Sequence, residues 1–207
     1  MSSYLVGTNR EHESNLLVQK AINFIVMISI PSAFGLFLLS DYLICILVGD
    51  TYTNAILPMK ILSPVIFFMA FASIICSVIL TPLKLEYCIL KSQIIGLLLN
   101  VMLNFALIQK YKAIGAAIAT MLTECIVMLL LFYYSKDKFV NKHFLLNTFK
   151  TLVSTLCVIS LLLMTKLYIR NYYLYICFSI VFGSIIFFGL LKVLKHDLLT
   201  FNTIKIR

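Results

Sequence analysis

Apolar residues in this chain run on rather than alternate. Six stretches stay almost wholly apolar for about 20 residues, the length that crosses a hydrocarbon core. They are 21–40, 56–80, 87–108, 114–134, 148–168 and 173–194. Pro31 falls inside the first and is able to kink it. Pro64 predicts a bend in the second, and Pro82 follows its end. Residues 41–55, DYLICILVGDTYTNA, are half apolar and are expected to lie at the membrane interface. The predicted plan is a cytoplasmic amphipathic lead-in over 1–20, a six-helix bundle over 21–194 and a cytoplasmic tail over 195–207. The fold class is all-α, an integral membrane helical bundle.

Composition supports this plan. The 207 residues are 62% hydrophobic and 12% charged, against about 25% charged in soluble domains. The net charge of +9 is not a nucleic-acid signal, because no basic run or stripe carries it. Instead the basic residues sit between the apolar runs. Twelve of the seventeen fall on the side that holds both termini and the loops near 81–91 and 135–150. Lys60, Lys110, Lys112, Lys166 and Arg170 fall on the other. That excess predicts both termini in the cytoplasm. The start, MSSYLVGTNREHESNLLVQK, is too polar and acidic for a secretory signal.

Chemistry-bearing motifs are sparse. Cys45, Cys76, Cys88, Cys125, Cys157 and Cys177 form no CxxC pair and mostly fall in apolar runs, so neither a disulfide nor a metal site is expected. His12, His143 and His196 are scattered, and no phosphate loop or nucleophile elbow occurs. No enzyme activity and no cofactor are predicted. Nothing resembles an ion-channel filter.

What remains is a thin set of polar side chains inside the spans. Gln93, Asn100 and Asn104 lie in the third, the last two four residues apart and on the line of Gly96. Thr120 and Glu124 share a face of the fourth, IGAAIATMLTECIVMLLLFYY. A carboxylate at mid-span costs about 2.5 kcal/mol or more, so Glu124 is expected to face the bundle interior near Thr120 and Asn100. It serves either as a coupling or substrate site or as a polar contact between helices. Lys60 and Lys91 lie one turn inside their spans. They either snorkel to headgroups or line a cavity and meet an anion such as a pyrophosphate. Gly115 and Ala119 form a small-xxx-small pair that permits close helix approach.

The stretch LLLNVMLNFALIQKYKAIGAAIATMLTE, 97–124, resembles the carboxy-terminal half of Wzx-type polysaccharide flippases. That superfamily also holds MATE drug exporters and lipid II flippases. IPSAFGLFLLSDYLICILVGDTYTNAILPMKIL, 30–62, resembles the same family, and the likeness covers roughly 10–135. It implies one lobe of a two-lobe transporter in the cytoplasmic (inner) membrane. The substrate would be a polyprenyl-pyrophosphate-linked oligosaccharide, such as an O-antigen unit, and some members are ion-coupled. The partners implied are that lipid-linked glycan, membrane lipid, a missing amino-terminal lobe or second copy of the chain, and a polysaccharide polymerase. The family has no catalytic motif to carry over, so Glu124, Lys60, Lys91, Asn100, Asn104 and Thr120 stand as translocation candidates by position alone. Such transporters have about 12 to 14 spans against six here, which reads as a fragment, a truncated product or part of a split transporter. A drug or cation exporter of the same fold and a non-transporting remnant are the alternatives.

Overall fold

The computed structural model describes residues 8–136, 142–166 and 172–194. Among the described residues there are helices and short turns and no strand. The helices are α1 (Thr8–Leu47), α2 (Ile56–Leu62), α3 (Val65–Ile74), α4 (Glu86–Tyr111), α5 (Ala113–Ser135), α6 (Lys142–Lys166) and α7 (Tyr172–Val193). Six segments among them are long and apolar enough to cross a bilayer: Leu17–Leu47, Thr51–Leu80, Glu86–Tyr111, Ala113–Ser135, Leu146–Thr165 and Tyr173–Val193. The chain is a multi-pass membrane protein. Residues 1–7 and the tail 195–207, with His196, lie outside the described residues.

The first span differs from its sequence boundary. Instead of ending at Ser40, α1 continues through Leu47, because LICIL extends the apolar run past Asp41. Residues 41–47, expected at the interface, are therefore helical. The helix stops at Gly49, whose φ of 94° is a conformation open to glycine at no steric cost. Asp50–Ala55 then forms a tight 3₁₀ turn into α2. Pro31 withholds an N–H from the carbonyl four residues back, yet α1 runs through it.

Pro64 does break the second span. α2 ends at Leu62 and α3 starts at Val65 with Pro64 as its cap. Past Ile74 the helix widens into a π segment, Ile75–Leu80, whose Ile75, Ile79 and Leu80 are buried.

The core forms around α1. Ile22, Val26 and Ile30 of α1 meet Phe71, Ile75 and Leu80 of the second span and Val127 and Leu131 of α5. A smaller cluster joins Met27 to Phe187 and Leu191 of α7. On α5 the buried positions Gly115, Ala119, Thr123, Val127, Leu131 and Ser135 recur every fourth residue, one continuous stripe.

That stripe seats α4 at very short range. A methyl built on Gly115 would overlap the Leu107 carbonyl oxygen, and one on Gly96 would overlap Val127 Cγ2. The small-residue pairing read from the sequence is thus a backbone-to-backbone contact. Only Lys112 separates α4 from α5, and it takes a φ of 52° to turn the chain.

Candidate functional site

A hydrogen-bonded polar group lies between α4 and α5. Asn104 Nδ2 donates to Asn100 Oδ1 at 2.8 Å, and Asn100 Nδ2 donates to Thr123 Oγ1 at 3.4 Å. Thr123 is buried, because its stripe carries it against α4 at Gly96. The one-face reading of Asn100 and Asn104 holds, but their partner is Thr123 and not Glu124. Asn100→Leu removes both contacts at nearly constant volume. We expect it to cost about 1 kcal/mol, the middle of the range for polar contacts between spans, read as a lower thermal midpoint in detergent. An unchanged midpoint would show that the bonds contribute nothing to stability.

Glu124 follows Thr123 by one residue, about 100° around the helix. It therefore leaves the α4-facing line and shares a face with Thr120 and Met128. Met128, one turn on, packs against the main core. Glu124 and Thr120 are both half-buried. No hydrogen bond or ion pair joins Glu124 to another described residue. A carboxyl so placed is available to a proton, a cation or a hydroxylated ligand.

The two lysines part company. Lys91 is exposed on α4 and pairs with no described residue. Lys60 is committed: its Nζ lies 2.6 Å from Asp41 Oδ1, with the side chains 27% and 39% exposed. The pair joins the last turns of α1 to α2. Sequence reasoning missed Asp41 because the first span was ended one residue before it.

A second feature also went unread. Asn147, Thr151, Ser154 and Thr155 of α6 are all buried, at the helical spacing i, i+4, i+7, i+8. Asn23 and Ser29 of α1 and Ser179 of α7 are buried as well, on helices that pack against α6. Thr151 and Thr155 donate to carbonyls one turn back, at 3.0 and 2.8 Å. Asn23 Oδ1 and the Ser29, Ser154 and Ser179 hydroxyls have no partner among the described residues. Water or a hydroxylated ligand would satisfy such a set. The signal was legible as a polar helical period inside an apolar span.

Two spaces adjoin α1. One, of about 300 Å³, lies between α1, α6 and α7 and is bordered by Thr155, Ser179 and Ser184. The other, about 530 Å³, is an apolar groove between α1, α3 and α6, walled by Phe34, Phe37 and Phe67.

No family model matches the chain. The Escherichia coli K12 protein named "Putative O-antigen transporter" is 32% identical over 126 residues, 59% of this chain and 29% of that protein. Among solved structures, the lipid II flippase MurJ in its inward closed conformation matches with a TM-score of 0.73 at 20% identity. That match covers 92% of this chain and 41% of MurJ. The chain thus spans well under two thirds of either protein. The chain is thus similar in sequence to an O-antigen transporter and folds as part of the lipid II flippase does.

Proposed function

We propose that the chain is the carboxy-terminal lobe of a flippase that moves a polyprenyl-pyrophosphate-linked oligosaccharide across the cytoplasmic membrane. The observation that carries this reading is the sequence match to an O-antigen transporter over 126 residues of the chain. Transporters of this kind alternate access between two repeats around a central site. A six-helix bundle then works against a second lobe, either an amino-terminal half or another copy of the chain.

In this proposal Glu124 and the Asn100–Asn104–Thr123 line present neutral and acidic oxygens to the sugar or to a coupling ion. Thr120 extends the Glu124 face by one turn. Lys91, exposed and without a partner among the described residues, supplies a cation for a pyrophosphate, since Lys60 is held by Asp41.

The test is complementation. Cells lacking the parent gene should lose long-chain surface glycan and accumulate single lipid-linked units. The wild-type gene should restore export, and Glu124→Gln at equal protein level should not. Normal glycan from the Glu124→Gln strain would remove Glu124 from the transport step. Normal glycan after the deletion itself would remove the flippase reading.

Orientation has its own check. With both termini cytoplasmic, as the lysine distribution supports, a reporter active only in the cytoplasm should work at either end. It should fail when inserted at Lys112. Activity at Lys112 would invert the topology.

A further inference from the structure

Asp41 and Lys60 stand where two kinds of surface meet. Ile30, Phe34 and Phe37 of α1 line the 530 Å³ groove, and Asp41 stands one turn beyond Phe37. On the opposite wall Phe67 and Ser63 line the same groove, and Lys60 stands one turn beyond Ser63. The apolar groove therefore leads up to an ion pair.

Depth places that junction at a bilayer boundary. The apolar run of α1 from Ala21 to Leu47 measures about 40 Å at helical rise. It overhangs a hydrocarbon core of about 30 Å by about 5 Å at each end when centred. Asp41 is six residues from Leu47, about 9 Å down the helix. The carboxylate and ammonium thus lie where headgroups give way to acyl chains, with the groove continuing into the hydrocarbon.

Charge then selects the occupant. The pair is neutral overall, so an anionic headgroup taking Lys60 would leave Asp41 unpaired beside a second negative charge. A headgroup carrying both a phosphate and a primary ammonium satisfies both partners at once. Its phosphate accepts from Lys60, its ammonium donates to Asp41, and the four charges alternate in sign. A quaternary ammonium has no N–H to donate.

We propose that this groove and ion pair bind a phospholipid of phosphatidylethanolamine chemistry, with one acyl chain in the groove and the headgroup inserted between Asp41 and Lys60. The site is distinct from the transport residues on α4 and α5 and does not depend on what the protein carries.

Native mass spectrometry of the delipidated full chain tests it, using dioleoyl phosphatidylethanolamine, its N-methylated series, phosphatidylcholine and phosphatidylglycerol. Phosphatidylethanolamine should bind about tenfold more tightly than phosphatidylcholine or phosphatidylglycerol, the worth of one charge-assisted hydrogen bond. Affinity should fall when the last N–H is methylated. Asp41→Asn/Lys60→Met, which keeps the site neutral, should abolish the preference, and Ala33→Leu, which narrows the groove, should weaken all lipids alike. Equal or tighter binding of phosphatidylglycerol, no headgroup preference, or a preference that survives the double variant would each overturn the proposal. The lipid series decides the headgroup question even if a variant fails to fold.

Discussion

Gly115→Val should be the most damaging single substitution in the described bundle. Its new side chain meets the Leu107 carbonyl of α4, which is backbone and cannot rotate away. Overpacking among side chains typically costs 1–3 kcal/mol, about the range set by how far neighbours can yield. Here α4 and α5 must separate as helices, which also opens the Gly96–Val127 contact and stretches the Asn100–Thr123 bond. We expect a cost at or above about 3 kcal/mol and a sharp fall in monodisperse protein on size-exclusion chromatography. Gly183→Ala is the control. Its methyl would meet Val158 and Leu162 side chains at 3.6 and 3.7 Å, ordinary contact. Alanine is also the better helix former by about 0.5–1 kcal/mol, so the midpoint should hold or rise. Equal effects at the two glycines would mean that the close approach of α4 and α5 does not limit stability.

Lys60→Met should carry the second largest effect. It strands the Asp41 carboxylate in an apolar span, six residues from the helix end. A carboxylate at mid-membrane costs about 2.5–3.5 kcal/mol on insertion scales. Asp41 is partly exposed and nearer the boundary, so about 2 kcal/mol is the expected loss. Asp41→Asn/Lys60→Met should recover most of it, because removing both charges leaves nothing unpaired. The informative reading is the order of thermal midpoints: single variant lowest, double variant close to the parent. A double variant as unstable as the single would show that the cost comes from lost packing and not from the unpaired charge.

Much of this architecture can be read from the chain alone, and the reasons are physical. Apolar runs of membrane length leave few choices of fold, since every backbone group must be satisfied within the helix. Asn100 and Asn104 at i, i+4 could be placed on one face for the same reason. Their partner could not. The choice between Thr123 and Glu124 depends on how far α5 is rotated against α4, and the close seating of Gly115 and Gly96 sets that rotation. Asp41 escaped because a charged residue looks like the end of a span until a lysine from another helix is known to meet it. The α6 polar period was present in the letters, hidden by a reading that weighed carboxylates and lysines above hydroxyls.

The single-residue link at Lys112 bears on the order of assembly. Every contact between α4 and α5 is made between Glu86 and Ser135, so this pair needs nothing synthesised later. It can insert and close as one hairpin while α6 is still in the ribosome. The packing of α1 is different, because α1 also meets α6, and that contact must wait for the chain beyond Lys142. Until then α1 holds its polar groups in the bilayer without α6 or α7 beside it, and the interval before α6 arrives is when a misassembled or protease-sensitive form of the protein would be found.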